Sequence, residues 1–217
     1  MSPKPLPPPR ACVFDLDGTL VDSLRDIAES LNACLELLGL PPHPVEAYRY
    51  MVGEGVPMLC RRAIGESHPH LVARLAELAR ARYRTRALQH TRPCDGVPEL
   101  VARLGQSGVR LAVLSNKPHD LTERVVRAFW RNGPFDRIYG YIEEEYRKPS
   151  PKYLTRICRE LGVPPGDTWV VGDTPTDVQT AQAAGAVPIG VTWGFRTRAD
   201  LEAAGAARIV DHPDELF

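Results

Sequence analysis

The chain has 217 residues, of which 43% are hydrophobic and 25% are charged. These fractions are average for globular proteins and argue against both a disordered chain and a membrane protein. Lysine plus arginine balances aspartate plus glutamate at 27 each, which gives no electrostatic argument for a nucleic acid or an anionic membrane as the partner. We therefore expect a small-molecule partner.

The cysteines and the N-terminal residues indicate the cellular compartment of the chain. Its five cysteines are scattered and form no C-x-x-C pair, which is typical of reduced thiols in a cytoplasm. No apolar run is long enough to span a membrane, and the N-terminus lacks the apolar h-region of a signal peptide. Residues 1–10 contain five prolines and are predicted to be a disordered, solvated tail. Monomer and homodimer both stay open.

After this tail, short aliphatic runs alternate with segments of helical period. The predicted strands cover residues 11–17, 109–115, 168–173, 187–192 and 208–211. The predicted helices between them cover residues 97–106, 121–130, 152–161 and 176–184. Strands that alternate with helices of this length predict an α/β fold with a Rossmann-like, doubly wound parallel sheet.

The segment after the first strand has a different pattern. Residues 20–91 read as nearly continuous helix, with breaks at 39–44, 53–55 and 65–69, and contain no convincing strand. We predict that this segment is an inserted all-helical domain. The core domain is then formed by residues 11–19 and 92–217.

Polar residues with related chemistry follow the predicted strands and one loop. In open α/β sheets, ligands bind beyond the carboxyl ends of the strands. The segments concerned are Asp15-Leu-Asp-Gly-Thr19, Ser115-Asn-Lys117, Lys148-Pro-Ser-Pro151 and Gly172-Asp-Thr-Pro-Thr-Asp177. A fold of this type brings four carboxylates, a hydroxyl and a lysine to one edge of the sheet.

This set of residues predicts phosphoryl transfer. Several carboxylates in one pocket repel one another unless a cation intervenes, and their hard oxygen atoms suit Mg²⁺. Asp15 and Asp17 are two residues apart, so that in an extended segment both side chains point to the same side, one as a nucleophile and the other as its acid/base partner. Ser115 and Lys148 suit the phosphoryl oxygens. Asp173 is a candidate metal ligand, and Asp177 is a candidate partner behind it.

The four segments resemble, in order and in spacing, the four motifs of the haloacid dehalogenase superfamily. The resemblance implies that Asp15 is the nucleophile and Asp17 the general acid and then base. It implies that Ser115-Asn116 and Lys148 bind phosphate. It also implies that Mg²⁺ is held by the carboxylates of Asp15 and Asp173 and by the backbone carbonyl of Asp17. The helical insert matches the mobile cap of this superfamily, a lid that excludes water.

Within the superfamily the sequence favours a phosphatase. Dehalogenases lack the second acid, which here is Asp17, and the mutases tend to have a histidine where this chain has Ile27. Residues 51–55 and 190–195 resemble segments of the phosphoglycolate phosphatases, which implies 2-phosphoglycolate as the substrate. Another small substrate (a nucleotide, a sugar phosphate or pyrophosphate), a phosphomutase, and a non-catalytic phosphate-binding module stay open. Arg49, Glu54 and Gly55 are candidate cap contacts to the substrate.

Overall fold

The computed structural model describes residues 6–131 and 133–217. The strands along the chain are β1 (Ala11–Phe14), β2 (Val21–Asp22), β3 (Arg92–Pro93), β4 (Arg110–Pro118), β5 (Phe135–Tyr141), β6 (Thr168–Gly172), β7 (Val187–Val191) and β8 (Arg208–Val210). The helices are α1 (Leu24–Leu37), α2 (Val56–Ile64), α3 (Val72–Arg86), α4 (Val97–Gln106), α5 (His119–Phe129), α6 (Lys152–Leu161), α7 (Pro175–Ala184) and α8 (Arg198–Ala204).

Six of the strands form one parallel sheet in the order β5-β4-β1-β6-β7-β8. Successive side chains of a strand point to opposite faces of the sheet, so both faces of the apolar β1 need cover. Cys12 and Phe14 pack in a cluster with residues of α4 and α5, whereas Ala11 and Val13 pack with residues of α6 and Ala181 of α7. Helices therefore cover both faces, which confirms the predicted doubly wound α/β class.

The segment between β2 and β3 is helical. Apolar side chains of α1, α2 and α3 form a hydrophobic cluster of their own, which includes Leu31, Leu35, Tyr48 and Leu75, and Phe195 packs into it from the sheet side. Between α1 and α2 the chain makes a 3₁₀ helix, Val45–Tyr50. The boundaries 20–91 stay a prediction, and Leu20 and Val21 pack in the cluster of the sheet.

The two connections between the sheet and these helices lie side by side. β2 pairs with β3 in antiparallel orientation, with Val21 opposite Pro93 and Asp22 opposite Arg92. The second connection is also held by Asp26 of α1, whose buried carboxylate accepts hydrogen bonds from His90 N, Thr91 N and Thr91 Oγ1. Both connections thus meet at the start of α1.

The structure differs from the sequence prediction at the N-terminus, at strand β2, which lies in the segment predicted to contain no strand, and at strand β5. Pro9 is buried, and the backbone of Arg10 bonds to Asp167 O and Arg110 N, so the ordered chain begins before residue 11. Residues 1–5 of the predicted tail lie outside the described residues. Strand β5 was not predicted, because its aromatic, charged and glycine residues lack an aliphatic run. Among residues 6–131 and 133–217, no helix combines the length and apolar character that crossing a membrane requires.

Candidate active site

The candidate site lies at the carboxyl ends of β1, β4 and β6. Asp15 and Asp173 directly follow β1 and β6, and the backbone N–H of Asp15 donates to Val171 O at 2.9 Å. Strand β4 runs to Pro118 and so contains Ser115, which the sequence placed at a strand end. The parallel sheet brings the predicted residues of three motifs to one edge, as the topology requires.

Three carboxylates form the centre of this site. One oxygen each of Asp15, Asp173 and Asp177 lies within 4.8 Å of the others, and all three residues are buried. Burial first, and then the charges of Asp15 and Asp177, raise the pKa of Asp173 to about 8. Burial also raises the pKa of Asp15 to about 6, against the opposing effect of Lys148. The positive charge around these three carboxylates is therefore too small to balance their negative charges.

Lys148 supplies part of that charge. Its ammonium lies 2.8 Å from Asp15 Oδ1 and 2.6 Å from Asp177 Oδ1. Burial lowers the pKa of Lys148 and the two carboxylates raise it, and the balance lies above the ordinary lysine value. The other oxygen of Asp177 accepts hydrogen bonds from the backbone and the hydroxyl of Thr174, which closes the capping box of α7. Both oxygens of Asp177 are thus engaged.

This donor set fits a divalent cation with a preference for oxygen ligands. Asp173 Oδ1 accepts from Thr19 Oγ1 at 2.9 Å and Oδ2 accepts from Phe195 N at 2.8 Å, so its carboxylate is held in one orientation. Such carboxylates are the usual ligands of Mg²⁺. The carboxylates of Asp15, Asp173 and Asp177 are therefore the groups that could hold such an ion, and Asp177 also contacts the ammonium of Lys148.

Two glycines allow the backbone to approach the carboxylates. A Cβ on Gly172 would lie 2.3 Å from Asp177 Cγ. Gly18 has φ +88°, and a Cβ there would lie 2.5 Å from Asp173 Oδ2. Both distances are well below van der Waals contact, so any larger residue displaces a carboxylate of the site.

Ser115 and Asn116 lie side by side in β4, and Asn116 contacts Lys148. Ser115 is buried, and its Oγ accepts a 3.3 Å hydrogen bond from Lys117 N. Asn116 Oδ1 accepts from Lys148 N at 2.8 Å, while its Nδ2 donates to Lys148 O and Gly53 O at 3.1 and 3.0 Å. The side chain of Asn116 therefore ties the Lys148 loop to the glycine loop of the helical segment.

Asp17 is held by groups that the sequence analysis did not single out. Its Oδ1 accepts hydrogen bonds from Ser23 Oγ and Lys117 Nζ, both at 2.6 Å. Lys117 Nζ also donates to the hydroxyl of Tyr83 on α3 at 2.7 Å. The signal for Lys117 was present, since it is a buried lysine directly after Ser115-Asn116 in a strand with an aliphatic centre. Nothing in the spacing pointed to Tyr83.

A cavity of about 300 Å³ opens between the sheet edge and the helical segment. Asp15, Asp17 and Ser115 line its floor, and aliphatic side chains line much of its walls, namely Ile27, Leu31, Val52, Val56, Leu59 and Leu121. Of the three predicted cap contacts, Gly55 lines this cavity. Arg49 and Glu54 are not among its lining residues: Arg49 donates to Gly194 O, and the carboxylate of Glu54 pairs with Arg62.

Comparison with known proteins identifies the family of the chain. Residues 9–185 match the model of the haloacid dehalogenase-like hydrolases. The chain belongs to this family, which confirms the resemblance seen in its four motifs.

The relatives include phosphoglycolate phosphatases. The enzyme of that name from Chromobacterium violaceum is 35% identical over 96% of this chain and 95% of its own length. The Pseudomonas putida enzyme is 34% identical, over 94% of this chain and 76% of its own length. Among solved structures, a proposed phosphoglycolate phosphatase from Lactobacillus delbrueckii subsp. bulgaricus has a TM-score of 0.90 and 31% identity, over 97% of each chain. The expected likeness to phosphoglycolate phosphatases is thereby confirmed.

Proposed function

We propose that the chain is a Mg²⁺-dependent phosphomonoester hydrolase that acts on 2-phosphoglycolate through a phosphorylated Asp15. One observation carries the proposal. The buried carboxylate of Asp15 lies 2.8 Å from the ammonium of Lys148, in a cluster with Asp173, at the floor of a cavity. A nucleophile, a cation for the phosphoryl oxygens and a second carboxylate for a metal are thus within contact of one another.

In the first step, a carboxylate oxygen of Asp15 attacks phosphorus and the bond from phosphorus to the ester oxygen breaks. Asp17 gives a proton to the departing oxygen, which leaves as an alcohol. Lys148 and Ser115 bind the phosphoryl oxygens, where negative charge must be stabilised. Mg²⁺, held by the carboxylates of Asp15 and Asp173 and by the backbone carbonyl of Asp17, would offset the repulsion between carboxylate and phosphate.

In the second step, the carboxylate of Asp17 takes a proton from water. The water oxygen attacks phosphorus, the bond from phosphorus to Asp15 breaks, and inorganic phosphate leaves. The hydrogen bonds from Ser23 and Lys117 keep Asp17 in place for both proton transfers. The helices over the cavity restrict the access of other water molecules during the reaction.

The cavity walls support a small organic acid as the substrate. Aliphatic side chains such as Ile27, Leu31 and Val56 offer no hydrogen bonds to the hydroxyl groups of a sugar on their part of the wall. The polar part of the wall includes the cations Arg80, Arg84 and Lys117, which suit a carboxylate. A phosphorylated two-carbon acid has few groups to satisfy. The names of the relatives from Chromobacterium violaceum and Pseudomonas putida support the same substrate.

The test is hydrolysis of p-nitrophenyl phosphate with Mg²⁺ and with EDTA, followed by a panel of phosphorylated metabolites. We expect turnover only with the metal, and the highest kcat/KM in the panel for 2-phosphoglycolate. Asp15→Asn should lower kcat by about 10⁴-fold or more, as loss of a nucleophile does. Exposed Asp95 provides the matched control, Asp95→Asn.

Three outcomes would contradict the proposal. Turnover in EDTA would contradict the metal requirement, and turnover by Asp15→Asn would contradict the covalent step. Activity confined to nucleotides or hexose phosphates would contradict 2-phosphoglycolate as the substrate. Phosphate trapped on the wild-type chain after acid quenching, and absent from Asp15→Asn, is the direct measurement of the intermediate.

A further inference from the structure

Lys117 is a buried cation that the proposed chemistry uses only to hold Asp17 in place. Its side chain is only 3% exposed, yet the residue lines the cavity. Its ammonium donates to Asp17 Oδ1 at 2.6 Å and to Tyr83 Oη at 2.7 Å. An ammonium has three N–H donors, and within residues 6–131 and 133–217 these two groups are its acceptors, which leaves one donor for a group of the substrate. Asp17 is one anion beside this buried charge, and a substrate anion would be a second.

The position of Asp17 defines which part of the substrate comes close to Lys117. If Asp17 protonates the ester oxygen, it contacts that oxygen at hydrogen-bond distance. Substrate atoms beyond the ester oxygen then lie next to the neighbours of Asp17 on the cavity side. Lys117 is such a neighbour, whereas Lys148 lies on the phosphoryl side, against Asp15 and Asp177. The two lysines therefore face opposite ends of the substrate.

Two hydroxyl groups of the helical segment line the same cavity. Tyr83 accepts its hydrogen bond from Lys117 and so keeps its own proton to donate. Burial, above all, raises the pKa of Tyr83 to about 12, which keeps that proton in place. Ser30 of α1 is only 2% exposed, and its Oγ has no hydrogen-bond partner among the described residues. A buried hydroxyl without a partner is uncommon and points to an absent ligand.

We infer that Lys117, together with the hydroxyl groups of Ser30 and Tyr83, forms the subsite for a substrate carboxylate. One carbon atom separates this carboxylate from the ester oxygen. This inference rests on the proposed function and specifies its substrate class: phosphomonoesters of 2-hydroxy acids. Lys117 thereby has two roles, because the same ammonium positions Asp17 and binds the far end of the substrate. The cation of the subsite comes from β4 and the hydroxyl groups come from α1 and α3, so the full set forms only where helices and sheet meet.

The wild-type protein gives the first test, which needs no variant. We expect kcat/KM to be highest for 2-phosphoglycolate. It should be lower for 3-phosphoglycerate, whose carboxylate is one carbon further from the ester oxygen. It should be lower again for ethyl phosphate, which has no carboxylate. Ethyl phosphate turned over as efficiently as 2-phosphoglycolate would overturn the subsite and leave the phosphatase standing. Turnover of none of the three, nor of p-nitrophenyl phosphate, would overturn the proposed function itself.

Variants give the second test, which is read as the ratio of kcat/KM for 2-phosphoglycolate to that for ethyl phosphate. Lys117→Met also disturbs Asp17, so kcat/KM should fall for both substrates. The ratio should fall as well, by about 10- to 100-fold, as expected for loss of a hydrogen bond to a charged group. Lys117→Arg should recover part of the ratio. Ser30→Ala should lower it by about 3- to 10-fold.

Exposed Ser67 on the helical segment provides the control for Ser30, as Ser67→Ala, which should keep the wild-type ratio. Equal losses on both substrates in Lys117→Met and Ser30→Ala would overturn the inference, because they would show that Lys117 only positions Asp17. Circular dichroism and gel filtration identify any variant that fails to fold. If Lys117→Met fails, the ratios of Lys117→Arg and Ser30→Ala decide the question, and a wild-type ratio in both would overturn the inference.

Discussion

Asp26 should hold the second connection of the helical segment in place, and Asp26→Asn is the substitution that tests this. Its carboxylate is 2% exposed and accepts from three donors of His90 and Thr91 at distances of 2.7 to 3.0 Å. The asparagine side chain has the same shape but one acceptor oxygen and no charge. If that oxygen stays with Thr91, the amide NH₂ group faces the N–H of His90.

The expected loss of stability follows from these contacts. Each of the two hydrogen bonds that Thr91 retains changes from a charged to a neutral acceptor, which costs about 1 kcal/mol, and the unpaired N–H of His90 costs about 1 kcal/mol more. The total is about 3 kcal/mol. For a chain of this size about 1 kcal/mol lowers the melting temperature by roughly 2–4 °C, so we expect a decrease of roughly 6–12 °C.

Differential scanning calorimetry at pH 7 measures this decrease. Asp95→Asn makes the same chemical change at an exposed position of the same connection and should alter stability by less than about 0.5 kcal/mol. A melting temperature of Asp26→Asn within 2 °C or so of the control would refute the reasoning, because it would mean that the three donors find equivalent partners in water.

Three further predictions concern packing and charge. Gly172→Ala should abolish activity and destabilise the fold by about 2 kcal/mol or more, because its Cβ would lie 2.3 Å from Asp177 Cγ; kcat and a urea midpoint measure both. Leu75→Ala, at a fully buried position among the helices, should lower the free energy of unfolding by about 3 kcal/mol in the same urea assay. A loss below about 1 kcal/mol would contradict the close packing of Leu75 in the cluster of the helices. Burial raises the pKa of Asp173 to about 8 and that of Asp15 to about 6, so the folded chain keeps protons that the unfolded chain releases. Metal-free protein should therefore lose stability as pH rises from about 4 to about 8. Melting temperatures in EDTA at several pH values should fall less steeply for Asp173→Asn, and equal slopes would contradict this.

The fold was predictable where the pattern of apolar residues was strong. Helices α4 and α6 begin and end at the predicted residues, because each has a clear apolar face and follows a turn with proline or glycine. Strand β5 was not predictable in this way, because it lies at the edge of the sheet and exposes much of its surface. Its pairing with β4 depends on long-range contacts, which a local pattern does not encode.

Some residues of the candidate site could be predicted from the sequence, and others could not. Asp15 and Asp173 could be expected to lie together because each directly follows a strand of a parallel sheet. Lys148 lies in a loop before α6 and was selected on its motif. The contacts of the helical segment were harder to predict. Which face of α3 points at the sheet depends on how the helices pack, so the contact between Tyr83 and Lys117 was visible only in three dimensions.

The antiparallel pairing of β2 with β3 has a consequence for how the chain is built. Residues directly opposite each other in such a pair have Cα atoms about 4.5–5.5 Å apart, so the helical segment leaves and rejoins the sheet at nearly one point. Asp22 and Arg92 face each other there, and a two-residue hairpin turn is enough to join them. The path of the strands in the sheet therefore does not depend on the length of the helical segment, although that segment also contacts the sheet domain through Asn116 and Phe195.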